Sequence, residues 1–117
     1  MTGTELIARE RVRQISEEGW TPKHDDGHRS GELALAAACY AAGPKHTHIR
    51  HMLNSARGME DAGYSYDYSE AKPEQISWPW DAEWHKPGDD RIGALVKAGA
   101  LIAAEIDRLQ RAKEKLS

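Results

Sequence analysis

Apolar residues near the start of the chain predict a first helix, and polar residues supply both of its ends. The segment Thr2–Glu5 has the Ser/Thr-x-x-Glu form of a capping box. Gly19 is suited to end the helix. The apolar positions of this helix are Leu6, Ile7, Val12 and Ile15. The pattern therefore predicts a helix that begins at Thr2 and ends at Gly19.

A second helix is predicted after a loop. The segment from Trp20 to Arg29, which includes TPKHDDGHR, is rich in proline, glycine and aspartate and predicts a loop. Ser30 can cap a helix over Gly31 to Ala42, and Gly43-Pro44 ends it. Its sequence, LALAAACYAA, makes nearly every face of the helix apolar. We therefore expect this helix in the middle of a bundle.

The end of the chain predicts one long helix, from Arg91 to Lys115. Pro87-Gly88-Asp89 marks its start, with Asp89 or Asp90 as the N-cap. We expect its first half to be buried and its second half to be amphipathic. The predicted inner stripe consists of Leu95, Ala98, Leu101, Ile102, Ile106 and Leu109.

Residues 45–76 carry a weaker pattern. KHTHIRHMLNSARGMEDAG allows a third, short helix, while YSYDYSEAKPEQ has no period and predicts an exposed loop. The side of that short helix that would be apolar contains Ile49, Met52, Leu53 and Ala56. No strand pattern of useful length is present. The sequence thus predicts an all-α fold with a single helical domain over residues 1–117, a compact bundle of three to four helices with a long irregular loop.

Alanine dominates the two central helices, and this affects the expected core. Small residues permit close approach of the backbones but bury little area each, so the core of one chain of 117 residues is thin. The tryptophans or a second subunit would have to complete it. We therefore expect a homo-oligomer.

Composition and charge exclude several classes of function. A formal net charge of −3 with scattered basic residues argues against a duplex-DNA binder. The longest mainly apolar run, Ile92 to Ala104, is too short to span a membrane. No secretory signal is seen, and the single Cys39, expected as an inert core thiol, cannot form an internal disulfide. We expect a cytoplasmic protein.

The segment SWPWDAEWHKPGDDR, residues 77–91, which we call the tryptophan segment, contains three of the four tryptophans of the chain. Its tryptophans either supply bulk to the alanine-rich core or form a stacking surface. Basic side chains and the free amides at the start of the last helix favour an anion beside them, so the segment suits a nucleotide-like ligand. The predicted site consists of Trp78, Trp80 and Trp84 for stacking, Lys86, Arg91 and Lys97 for phosphate, and Arg11 and Arg13 as outer residues.

A second candidate site, for a divalent metal ion, lies in the segment KHDDGHRSGE, residues 23–32. Its possible ligands for a divalent ion are His24, Asp25, Asp26, His28 and Glu32, of which His24, Asp26 and Glu32 form the proposed metal site or polar floor. The alternative is that these residues hydrogen-bond within loops and helix caps. Glu32 and Lys97 lie in apolar stretches, so they either pair, reach water or line a polar cleft. The cluster of His46, His48 and His51 is expected to face solvent.

Several sequence motifs together resemble those of a small family of phage and prophage proteins. They are Glu10-Arg11-x-Arg13-Gln14, EGWTPKHDDGHRSGELALAAACYA, WPW with KPGDDR, and LVKAGALIAAEIDRL, and they cover most of the chain outside residues 44–76. That family commonly has a second tryptophan where this chain has His85. The resemblance therefore implies that one stacking surface is missing here.

The helix with Glu10-Arg11-x-Arg13-Gln14 and the final helix rich in small residues are also similar, more loosely, to those of some phage MazG-like all-α nucleotide pyrophosphohydrolases. Those enzymes hold magnesium with a Glu-Glu-x-x-Glu helix and an acidic residue on a later helix. Here only Glu32 matches the Glu-Glu-x-x-Glu motif. Lys97 lies in the region of the last helix where those enzymes have the acidic residue. Two-metal phosphoryl chemistry needs several carboxylates. The similarity implies a retained binding cleft without the hydrolytic groups.

Three functions follow as hypotheses. The leading one is non-catalytic binding of a nucleotide-like or phosphorylated small molecule, as by a phage counter-defence protein that sequesters a host nucleotide signal in the bacterial cell, with no cofactor. The first alternative is an active pyrophosphohydrolase with Mg²⁺, for which the candidate carboxylates are Asp25, Asp26, Glu32 and either Glu105 or Asp107. The second alternative is an interaction module whose tryptophan segment blocks a host protein.

Overall fold

The computed structural model describes residues 1–49 and 72–116. Helices dominate this part of the chain, as the sequence predicts, and they pack into a compact bundle. In chain order the α-helices and β-strands are α1 (Gly3–Glu18), α2 (Pro22–Asp25), α3 (Glu32–Ala42), β1 (Thr47–His48), β2 (Ile76–Ser77) and α4 (Arg91–Lys115). Short 3-10 helices lie at Pro44–His46 and Ala82–Trp84. Within the described ranges, no helix has both the length and the apolar character needed to cross a bilayer.

The predicted ends of α1 are confirmed. The Thr2 hydroxyl accepts a hydrogen bond from the amide of Glu5 at 3.2 Å, and the Glu5 carboxylate accepts one from the amide of Thr2 at 3.1 Å. These reciprocal bonds satisfy amides that have no partner inside the helix. At the other end Gly19 adopts the left-handed conformation, with φ 74°. This conformation favours glycine and turns the chain away from α1.

The predicted loop over residues 20–29 is wrong in part, because it contains α2. The Thr21 hydroxyl accepts from the amide of His24 at 3.3 Å, and Pro22 occupies the first turn, so Thr-Pro acts as a helix start. Ser30 is not the cap of α3. Gly31 takes that position with φ 82°, and the amide of Ser30 donates to the Glu32 carboxylate at 2.6 Å.

Two short strands form a parallel pair that the sequence pattern does not predict. Thr47 pairs with Ile76, and His48 pairs with Ser77. Strands of two residues are too short to show an alternating pattern. Ile49 follows β1 and belongs to no helix. The other positions of the predicted third helix, and the predicted loop as far as residue 71, lie outside the described residues.

The histidine cluster at residues 46–51 is not uniformly exposed, contrary to prediction. His46 is exposed, whereas His48 is buried next to β2. His51 lies outside the described residues. The strand pairing accounts for the difference, because it draws His48 against the body of the bundle.

The core lies between α3 and α4, with α1 packed on another face of α4. Alanines on both helices allow their backbones to approach closely, and Trp78 fills the space beside them. Cys39 is buried in this core, which raises the pKa of its thiol, in agreement with an inert thiol. The buried cluster comprises Leu33, Ala36, Ala37, Cys39, Tyr40, Trp78, Ala98, Leu101 and Ala104.

The predicted bounds of α4 are confirmed, and Asp90 is its cap, accepting from the amide of Ile92 at 3.0 Å. The predicted inner stripe is wrong for most of its members. Ala98 and Leu101 are buried, but the larger side chains that were expected inside are exposed: Leu95, Ile102, Ile106 and Leu109. The small residues of α4 form its packing face, and the larger aliphatic residues lie outside.

Gly99 marks the point where α1 comes closest to α4. A Cβ atom at Gly99 would lie 2.5 Å from Cδ1 and 2.8 Å from Cγ1 of Ile7. These distances are shorter than real carbon contacts, and Ile7 is branched and stiff. The absence of a side chain at Gly99 therefore sets the spacing between the two helices.

We expect Gly99→Ala to destabilise the protein by about 1 kcal/mol, because overpacking of roughly 1–3 kcal/mol exceeds the gain of about 1 kcal/mol in helix propensity. In an Ile7→Ala background the clash is gone, so the same change should stabilise. Urea unfolding of the four proteins measures both effects. An equal effect of Gly99→Ala in the two backgrounds would contradict the packing of Ile7 on Gly99.

Candidate functional site

A cavity of about 400 Å³ opens between the α2 region and the tryptophan segment. We call it the aromatic cavity. Its volume lies within the range of small-molecule sites. The residues that line it are Trp20, His24, His28, Pro79, Trp80, Asp81 and Trp84.

One wall of the aromatic cavity is a column of three rings. Trp20, His24 and His28 are spaced four residues apart, so the turn of α2 brings their side chains to one side. The rings of Trp20 and His24 are nearly parallel, with centroids 6.2 Å apart, and those of His24 and His28 are 4.9 Å apart. The sequence prediction did not include Trp20 among the stacking residues. Its Trp-x₃-His-x₃-His spacing is the signal that could have identified it.

Trp80 closes the cavity from the other side. Its ring centroid lies 5.2 Å from that of His28 and 6.2 Å from that of Trp20. The ring is half-buried, so part of its surface stays open. Residues that are far apart in the sequence thus meet around one space.

Both histidines are held by carboxylates. Nδ1 of His24 lies 3.2 Å from Asp25 Oδ1, and Nδ1 of His28 lies 3.2 Å from Glu32 Oε2. A carboxylate at Nδ1 favours the tautomer with a proton there, which leaves Nε2 as a hydrogen-bond acceptor. Burial acts to raise the pKa of Glu32, but bonds from the amides of Glu32 and Ser30 and from His28 keep that pKa below its usual value.

A buried ion pair between Arg11 and Asp25 supports the wall formed by Trp20, His24 and His28. Asp25 is fully buried, and its carboxylate accepts from the Arg11 guanidinium at 2.6 Å. Arg11 also donates to the carbonyl of Trp20 at 3.2 Å. The predicted outer residue Arg11 therefore positions Trp20 and Asp25, and is not in the aromatic cavity.

The three predicted stacking residues are divided between two roles. Trp80 and Trp84 line the aromatic cavity, and Trp84 is 43% exposed. Trp78 is only 5% exposed and packs in the core against Tyr40, with centroids 5.2 Å apart. The rings of Trp78 and Trp80 are perpendicular, with centroids 5.5 Å apart and an angle of 89° between their planes.

The predicted phosphate-binding residues do not line the aromatic cavity. Arg91 donates to the carbonyls of Tyr40 and Ala41, and Lys97 donates to the carbonyl of Lys86. The Nζ atom of Lys86 lies 5.5 Å from the centroid of the Trp84 ring. Each cation thus contacts the protein itself.

Three of the predicted cations nevertheless lie close to the cavity. Arg13, Lys86 and Lys97 surround a second, small cavity of about 30 Å³, which shares Trp20 and Trp84 with the aromatic cavity. Arg13 is bound there to the carboxylate of Glu10 at 2.7 Å, so its charge is already balanced. Lys86 is the exposed member of the group.

The proposed metal ligands are distributed among separate partners. Asp26 accepts from Arg111 at 2.8 Å, and this bond holds the pKa of Asp26 below its usual value. His24 and Glu32 bond to Asp25 and His28 as described. Across residues 1–49 and 72–116, no group of three or more His, Cys, Asp or Glu side chains is placed to hold a metal ion. The metal site stays a prediction.

Tyr40 holds the backbone of the tryptophan segment in place. Its hydroxyl accepts from the amide of Lys86 at 3.0 Å and donates to the carbonyl of Trp84 at 3.4 Å. Burial raises the pKa of Tyr40. His85, at the position where the resembling family has tryptophan, stacks on Tyr40 at 5.5 Å, and burial lowers its pKa. Its ring serves packing outside the aromatic cavity.

Comparisons with known proteins do not identify the ligand of this cavity. The chain matches no known family model, no curated protein and no solved structure. The resemblances to phage proteins and to MazG-like enzymes therefore stay expectations from the sequence. The function has to be inferred from the side chains of the cavity.

Proposed function

We propose that the aromatic cavity binds a planar, nucleotide-like small molecule. The observation that supports this most directly is the meeting of Trp20, Trp80 and Trp84 around a space of about 400 Å³. Stacking on an aromatic side chain contributes about 1–3 kcal/mol per base. A cavity with several such rings can therefore hold a heterocyclic base without a basic residue inside it.

The polar atoms of the cavity favour a base that donates hydrogen bonds. His24 and His28 offer Nε2 acceptors, because carboxylates engage their Nδ1 atoms. Asp81 is a further wall residue with acceptor oxygens. These acceptors suit the exocyclic amine of adenine, cytosine or guanine. A phosphate on such a ligand would remain at the mouth, near Lys86 beside Trp84.

The arrangement favours binding over metal-dependent hydrolysis. Asp25 and Asp26 are each paired with an arginine, and Glu105 is paired with Arg108. A pyrophosphohydrolase needs carboxylates that are free to collect cations. In the phage setting that the sequence resemblance implies, a binder of this kind would sequester a host nucleotide signal.

Isothermal titration with nucleosides, nucleoside monophosphates and cyclic dinucleotides tests the proposal. We expect at least one amine-bearing member to bind, and Trp80→Ala to weaken it by about tenfold or more through the lost stacking. Arg91→Gln is the matched control, because Arg91 lies outside the aromatic cavity, and it should bind as the wild type does.

Three results would contradict this function. One is no binding by any member of the panel at about 1 mM. Another is unchanged affinity in a folded Trp80→Ala variant. The third is Mg²⁺-dependent product formation that is lost in Glu32→Ala, which would favour the hydrolase. Stable capture of a purified host protein through Trp84, with no small molecule bound, would instead favour the interaction module.

A further inference from the structure

A row of large aliphatic side chains on α4 faces away from the core. Their exposed fractions are 62% for Ile92, 45% for Leu95, 48% for Ile102, 51% for Ile106 and 52% for Leu109. We call these five residues the α4 stripe. They follow one another at intervals of three, seven, four and three residues, which is the a/d spacing of a coiled coil with Gly99 at the missing position.

Ile7 of α1 fills the gap in the stripe at Gly99. Its side chain lies where a side chain of Gly99 would be, and it is itself partly exposed. The apolar surface is therefore continuous along α4 from Ile92 to Leu109. A contiguous apolar surface of this kind marks an interaction site rather than an ordinary exposed residue.

We propose that a second copy of this chain covers the α4 stripe, with the two α4 helices antiparallel. When Gly99 is counted with the stripe, the intervals are three, four, three, four and three residues, which is symmetric about a centre between Ala100 and Leu101. An antiparallel pair therefore places Ile92 opposite Leu109 and Leu95 opposite Ile106 of the second copy. Such self-complementarity is the requirement for a two-fold interface, in which one patch meets its own copy.

The area of the stripe is sufficient for a dimer. Five half-exposed aliphatic side chains offer on the order of 500 Å² per chain, so a pair would bury on the order of 1,000 Å², the lower bound for a specific interface. Neighbouring atoms add to this area. The thin core of one chain, rich in alanine, is consistent with a partner that contributes further burial.

Charge favours the antiparallel orientation. Asp89 and Asp90 precede α4, while Lys113 and Lys115 lie in its last turn. Antiparallel helices bring these acidic and basic ends together, and they also align the helix dipoles favourably. A parallel pair would bring like charges together. None of the five residues of the α4 stripe lines the aromatic cavity, so this inference does not depend on the proposed ligand.

Sedimentation velocity over a range of concentrations tests the dimer. We expect a species of twice the chain mass of 13.1 kDa, and at least a tenfold weaker association for Ile106→Lys. Val12→Lys is the matched control, because Val12 is 65% exposed on α1 and lies five positions after Ile7, on another face. It should leave association unchanged. A wild-type monomer at all concentrations, or equal loss in both variants, would overturn the proposal.

The orientation has its own test. Leu95→Cys protein mixed with Ile106→Cys protein should be cross-linked by a short bismaleimide faster than either protein alone, because the antiparallel register places these positions opposite each other. Cys39 is buried and does not compete. Fastest cross-linking of Leu95→Cys with itself would show a parallel pair and overturn the antiparallel arrangement. Circular dichroism of each variant confirms that the helices are intact.

Discussion

Asp25→Asn should lower the free energy of unfolding by about 3–5 kcal/mol, the largest loss we expect from a single polar substitution. The Asp25 side chain is fully buried, and that of Arg11 is only 12% exposed, with the two 2.6 Å apart. Removal of the carboxylate charge leaves the guanidinium with no counter-charge in a site that water hardly reaches. His24 loses its charged partner at the same time.

The neighbouring residue provides the control for this prediction. Asp26 also pairs with an arginine, Arg111, but the side chains of Arg111 and Asp26 are 27% and 32% exposed. Asp26→Asn should therefore change stability far less than Asp25→Asn does, because solvent screens an exposed pair. Urea unfolding of the two variants makes the comparison, and equal losses would contradict the difference in burial. Replacement of both partners, Asp25→Leu with Arg11→Met, should recover most of the loss, because no charge remains unpaired.

Local signals made the helix ends predictable. The capping box at Thr2, the left-handed Gly19 and the cap at Asp90 each depend on residues within one turn of the helix that they begin or end. The start of α2 also has a local signal in Thr21-Pro22, although the proline and glycine content of that segment masked it. Such ends are determined by hydrogen bonds between close neighbours.

The inner face of α4 could not be read from its periodicity. Two stripes coexist on this helix, one of small residues such as Ala98 and one of large aliphatic residues such as Ile106. The large residues give the stronger hydrophobic signal, yet the small residues face α1 and α3, because only they allow the backbones to approach closely. The choice between the stripes depends on contacts with other helices.

The candidate site was partly predictable. The tryptophan segment was identified, but its meeting with Trp20 and His28 depends on packing between distant parts of the chain. The positions of the cations outside the aromatic cavity could not be predicted for a similar reason. Arg91 lies where the last turn of α3 leaves carbonyls without partners inside the helix, and it donates to those of Tyr40 and Ala41. A backbone acceptor that only the fold brings near cannot be inferred from spacing.

Trp78→Ala should destabilise the protein by about 3–5 kcal/mol, whereas Trp80→Ala should have a clearly smaller effect. Trp78 is 5% exposed, its ring lies 4.8 Å from that of His85, and its indole N–H donates to the carbonyl of Asp81 at 3.1 Å. Its removal leaves a cavity beside Tyr40 of α3 that the alanines of the core cannot fill. Trp80 keeps an open face, so it has less packing to lose.

A second measurement separates packing from binding in the same two residues. Phenylalanine retains a ring at either position, so Trp78→Phe should fold with reduced stability and bind the nucleotide-like ligand with unchanged affinity. Trp80→Phe should retain stability and bind more weakly, since phenylalanine offers a smaller stacking surface. Urea unfolding and isothermal titration on both variants give the comparison. A greater loss of stability at position 80 than at 78 would mean that the two rings have the opposite roles, because the buried ring must be the one whose removal opens the core.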